Sequence, residues 1–112
     1  MGDAVRLVEA VAFDALAGVP DGSGGKEQDW VEQFATRAHF RYLRGSEAVI
    51  AARLQGKQPV VVTVRANSST RAITPEWQMR DTRRGTAYNI RTAVPSDDRL
   101  FIELTCESGV AV

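Results

Sequence analysis

Cysteine and histidine are nearly absent from this 112-residue sequence: Cys106 and His39 stand alone. One thiol cannot form a disulfide framework, so the cytoplasm is the expected setting. One imidazole and one thiol cannot assemble the usual zinc sites, and no cofactor is expected. Long apolar runs are missing too. None exceeds five residues, far short of the about 20 that a membrane-spanning helix needs. No basic leader precedes an apolar stretch, and Arg6 stands where a myristoylation signal requires Ser or Thr, so neither signal is expected. Lysine is scarce, 2 residues against 12 arginines. That ratio favours planar, bidentate contacts, or reflects a GC-rich genome. Net charge is zero, without the basic excess usual in nucleic-acid binders.

What is present is ordinary for a globular chain: 44% hydrophobic and 25% charged residues, which argues against general disorder. The length suits a single domain, 1–112, with one modest core. The charges are blocked, however. Residues 1–32 carry −5, residues 33–91 carry +8, and residues 92–112 carry −3. Such blocks suit head-to-tail contact between identical copies, or cancellation between neighbouring strands.

Hydrophobic periodicity predicts six strands. Val5 to Phe13 alternates loosely. Asp14 to Asp29 holds Gly18, Pro20, Gly22, Gly24 and Gly25 among acids, which predicts a long flexible loop. Trp30, Phe34, Ala38, Phe40 and Tyr42 then share one parity of a second strand, opposite Arg37, His39 and Arg41. Ser46, Glu47, Ile50, Leu54 and Gly56 mark a helix of about 10 residues from N-cap to C-terminal glycine. Pro59 to Val64 is a β-branched strand. Asn67 to Thr70 is a polar loop. Trp77–Arg83 and Thr86–Val94 form a hairpin around Arg84-Gly85. Leu100, Ile102, Leu104 and Cys106 alternate in the last strand, with Cys106 expected as a small buried hydrophobe. The expected fold is mainly β: a small antiparallel six-stranded barrel or sandwich with one short helix between strands two and three.

Catalytic patterns fail on inspection. Gly25-Lys26 resembles the end of a phosphate loop, but Pro20 stands where the first glycine belongs and Glu27 where Mg²⁺ needs a hydroxyl. Gly22-Ser23-Gly24 meets Glu27 instead of a third dinucleotide-binding glycine. No nucleophile elbow surrounds any serine. Arg80, Arg83, Arg84 and Arg91 cluster around one hairpin. They cannot all be buried unpaired, so they are expected to face solvent, an acidic neighbour or DNA. Of Trp30 and Trp77, one is expected at an interface, because so small a core has room for about one buried tryptophan.

The order of these pieces resembles the head-tail joining proteins of long-tailed bacteriophages, the head-closure or stopper family. The resemblance is carried by the Arg6-Leu7 strand and by Asp21-Gly22-Ser23-Gly24-Gly25 closing at Trp30. It continues through Ala38 to Tyr42, Gly45-Ser46-Glu47 with Ala51-Ala52-Arg53, and Val62-Thr63-Val64-Arg65. It ends with Gly85-Thr86-Ala87-Tyr88-Asn89-Ile90 and Arg99 to Leu104. Arg37 and Ala66 depart from it where the family often has aromatics. The resemblance implies a non-enzymatic neck protein of a phage, prophage or gene transfer agent virion, assembled in the host cytoplasm. It would form a sixfold or twelvefold ring beneath the portal or head-tail adaptor, close the DNA exit channel, and present a surface to the tail terminator or tail tube. Packaged DNA is a further expected neighbour. The expected interface residues are Asp21, Gly22, Gly24, Gly25 and Lys26 in the loop, with Trp77, Arg80, Arg83, Arg84 and Arg91 around the hairpin. A small barrel binding nucleic acid is the alternative. Such barrels expose aromatics on a basic face, whereas here aromatics and bases take opposite parities.

Overall fold

The computed structural model describes residues 6–43 and 47–108. Its strands are β1 (Glu9–Pro20), β2 (Lys26–Tyr42), β3 (Gln58–Arg65), β4 (Gln78–Asp81), β5 (Ala87–Pro95) and β6 (Phe101–Ser108), with helix α1 (Glu47–Leu54) between β2 and β3. They close into an antiparallel barrel in the cyclic order β1-β2-β3-β6-β5-β4. Closure removes the unpaired sheet edges that a six-stranded open sheet would carry.

Period-two patterning fills the barrel. Val60, Val62 and Val64 of β3 and Leu104 and Cys106 of β6 are fully buried, as are Val11 and Phe13 of β1 and Met79 of β4. Burial also pushes the Cys106 thiol up to about 12, so this cysteine is inert packing. Phe34 and Phe40 pack on the core from β2, with Phe34 stacked at 5.2 Å on Phe13 and Phe40 edge-on to Tyr88 at 6.1 Å. The β3–β4 crossover is locked by Asn67 and Thr70. Thr70 N–H donates to Asn67 Oδ1 at 2.8 Å, Asn67 N–H donates to Thr70 Oγ1 at 2.9 Å, and Thr70 Oγ1 donates to the Arg65 carbonyl at 2.8 Å. The helix ends where expected, at Gly56, whose φ of 81° suits a glycine. Ser46, its expected N-cap, lies outside the described residues.

The loop expected over 14–29 is corrected by the structure. Residues 14–20 and 26–29 are paired strand, from Asp14↔Glu32 to Pro20↔Lys26, and only 21–25 turns. Ala15, Leu16, Ala17, Trp30 and Val31 extend the hairpin, and the glycine-rich stretch supplies its tip. Asp21 organises that tip: its Oδ1 accepts from Ser23 N–H at 2.8 Å and Gly25 N–H at 3.1 Å. Gly22 and Gly24 take φ of 85° and 87°, and a Cβ at Gly25 would stand 2.9 Å from Asp21 Oδ2.

A second difference concerns Trp30. Pairing runs Phe13↔Phe34 and then Asp14↔Glu32, so Gln33 is skipped. One inserted residue exchanges the faces beyond it. Trp30 therefore leaves the Phe34 face and pairs with Leu16, the two being 37% and 51% exposed.

Barrel and ribbon should respond differently to truncation. Phe13→Ala is expected to cost about 3–5 kcal/mol in denaturant unfolding, and Leu16→Ala less than about 1 kcal/mol. Equal losses would show that the ribbon belongs to the cooperative core.

Candidate assembly surfaces

Barrel closure depends on a short seam, Val11–Asp14 against Gln78–Asp81, and most of the hairpin's charge is used there. Asp14 is 2% exposed. Its carboxylate accepts from Arg80 Nε at 2.6 Å, Arg80 Nη2 at 2.9 Å and Gln78 Nε2 at 2.8 Å. Arg80 also reaches Glu32 of β2 at 2.7 Å. At the seam's lower end, fully buried Asp81 accepts from Arg84 Nη1 at 2.7 Å and from the backbone N–H groups of Arg83 and Arg84. Arg84 also bonds Glu9 at 2.9 Å. Burial alone would raise both aspartates' pKa values. The hydrogen bonds from Arg80 and Gln78, and from Arg84 and the turn backbone, outweigh it and hold both below the usual carboxylate range.

The acidic neighbour expected for the arginines is thus largely the chain's own first hairpin. Arg80 and Arg84 are paired, and Arg83 donates to the Val8 carbonyl at 2.7 Å. Arg91 is exposed at a register shift of β5. Trp77 is half-buried, edge-on to Phe34 at 6.3 Å. Nor does the fold gather the expected residues into one patch. Asp21, Gly22, Gly24, Gly25 and Lys26 form the ribbon tip beyond Asp14. The Arg83–Arg84 turn lies past Asp81, at the other end of the seam.

Two surfaces remain that can receive partners. One is the ribbon, in which Ala15–Pro20 and Lys26–Val31 pair only with each other, rising about 20 Å above the barrel. Every residue from 21 to 33 is exposed. The other is an open recess of about 700 Å³ at the same end of the barrel, between the β3–β4 crossover and the β5–β6 turn. Its apolar wall includes Ile73, Ala93 and Ile102, and its charged residues are Arg71, Arg99 and Asp97. Sequence reasoning missed the recess because loops distant in the chain build it. Its one local sign is Arg99, which adopts φ of 62° in a turn tied by Ser96 and Asp98. Among the described residues, no three His, Cys, Asp or Glu side chains gather to hold a metal.

These geometries can be set beside known proteins. A sequence model of phage head completion proteins matches residues 3–109. The fold is similar to the solution structure of a protein from Shigella flexneri 2a, with TM-score 0.69 and 18% identity over 96% of each chain. It is also similar to a chain in the virion of a native gene transfer agent particle. There the TM-score is 0.64 with 21% identity, covering 96% of this chain and 98% of that one. No curated protein matches the sequence.

The seam carries a pH signature. Asp14 and Asp81 have depressed pKa values in the fold. Their stabilisation is therefore complete above the unfolded value of about 3.9 and is lost as pH falls through the folded value. Denaturation midpoints are expected to drop steeply below about pH 4, and less steeply in Asp14→Asn. Identical acid limbs for both proteins would refute this role for Asp14. Arg84→Glu, which sets a carboxylate against Asp81 and Glu9, is expected to lower the thermal midpoint well below that of Arg91→Glu.

Proposed function

Because the chain belongs to the phage head completion protein family, we propose that it is a structural neck protein of a tailed phage, prophage or gene transfer agent virion. It assembles as a homo-oligomeric ring beneath the portal or head-tail adaptor, closes the DNA exit channel, and offers the surface on which the tail terminator or tail tube docks. The observation that carries this reading is the family match, which spans 3–109 and so takes in the whole barrel and ribbon.

The physical chemistry supports a binding role rather than catalysis. The depressed carboxylates at the seam are saturated by arginine and backbone donors, which leaves them without a proton to move. The thiol is buried. Exposed features are instead those of a scaffold part: a stiffly rooted ribbon, an open recess, and opposite charges on separate surfaces.

Removing the gene from its virus or prophage tests this. The expected lysate holds DNA-filled or emptied heads and free tails, unjoined, and supplying the protein in trans restores joined particles. Normally joined, infectious particles without the gene would overturn the neck assignment. Retention of a single-stranded oligonucleotide by the purified chain on a sizing column, with particle joining unaffected by gene loss, would favour a nucleic-acid module instead.

A further inference from the structure

We propose that the ribbon of one copy seats in the recess of the next, and that this head-to-tail contact is what closes the ring. The inference rests on the ring reading above and names the two surfaces that form it.

Placement is the first argument. In the strand cycle β1-β2-β3-β6-β5-β4, β1 lies opposite β6 and β2 opposite β5. The ribbon continues β1 and β2, while the recess lies between the β3–β4 crossover and the ends of β5 and β6 with the turn joining them. Both sit at one end of the barrel, on opposite sides. A heterologous contact between such patches repeats by rotation, the requirement for a cyclic assembly.

Complementarity is the second. Beyond the seam the ribbon carries Asp21, Glu27 and Asp29 against Lys26, all exposed. The recess presents Arg71 and Arg99 against Asp97, with exposed Asp98 in the same turn. Exposed Arg65 stands beside it, over the Phe101 ring at 5.6 Å, so that three arginines stand against two carboxylates. The apolar parts match as well. Leu16 and Trp30 form an exposed cross-strand pair on one ribbon face. Half-buried Ala93, backed by the outer edges of the core residues Ile73 and Ile102, gives the recess its apolar wall. About 700 Å³ is the scale of a pocket for one drug-sized group, which suits this side-chain pair rather than the whole ribbon. Entering as a wedge, the ribbon sets its Leu16–Trp30 face on that wall and its Glu27–Asp29 face toward the arginines.

The third argument is strain. Arg99 is the only described non-glycine residue with positive φ, in a turn where glycine or asparagine would fit more easily. Strain retained at an exposed rim fits a side chain held for a contact.

Charge exchange in trans tests the seat. A virus lacking the gene is complemented with Glu27→Arg/Asp29→Arg, with Arg71→Glu/Arg99→Glu, with both pairs in one chain, and with the two variants co-expressed. Like charges facing each other are strongly disfavoured, so each charge pair alone is expected to lower infectious particles at least about 100-fold. The combined chain is expected to recover most of that loss. Co-expression should recover it too, because each reversed ribbon then finds a reversed recess in an alternating ring. Thermal melting of each purified variant confirms an intact barrel. Singles that complement like wild type, or failures that neither combination rescues, would overturn the seat while leaving the neck reading standing. Joined particles without any complementing protein would instead remove the neck reading itself.

Discussion

Four residue pairs, Val11–Asp14 against Gln78–Asp81, turn a sheet into a barrel. Every other strand contact in the cycle is longer, apart from the neighbouring β4–β5 pairing. A seam so short gains little from backbone ladder bonds, and its side chains supply the rest. Phe13 and Met79 meet inside it, while Asp14–Arg80 and Asp81–Arg84 tie its two ends. Both carboxylates are buried, and each arginine reaches a second acid on β1 or β2. Arg80 thereby holds β4 to the hairpin just where Gln33 is skipped, and the same ion cluster fixes the root of the ribbon.

That root decides how the ribbon stands. An isolated two-stranded hairpin is marginal in water, yet this one starts from a packed stack of Phe13, Phe34 and Trp77. Its far end is closed by the Asp21 turn rather than by a loose glycine tract. Between those anchors Leu16, Trp30 and Val31 stand exposed among the described residues. Order is therefore supplied at both ends, and the middle stays open to solvent. The inserted residue has a further consequence. It turns the tryptophan outward, so the same alternation that fills the barrel provides the ribbon with an exposed apolar face.

The strands built from strong local pattern were legible in the sequence. Pro59 to Val64 and Leu100 to Cys106 needed only β-branched density and alternation, and the closed six-stranded barrel with one short helix follows from their number and order. The misread parts share one physical cause: each depends on a partner distant in the chain. Ala15 to Ala17 is strand only because Asp29 to Val31 lies beside it. Gly18 and Pro20 sit in an exposed ribbon, where weak strand formers cost little. The inserted residue at Gln33 is invisible without the register of β1. The arginines read correctly as needing partners, but 66 positions separate Arg80 from Asp14. Of the expected interface residues, the Asp21–Lys26 group is exposed, Arg80 and Arg84 serve closure, and the recess had no contiguous signal at all.

The ribbon is exposed throughout 21–33, and from Ala15 to Pro20 and Lys26 to Val31 its strands pair only with each other. A free-standing protein gains nothing from such a projection, since its backbone order must be bought without buried area. In the ring proposed above, each copy would both insert a ribbon and cover one, so that the face left open on the ribbon is the face a neighbour buries. The acids of the ribbon and the arginines at the recess rim stand on separate surfaces of one chain, the arrangement that a heterologous contact between identical copies uses.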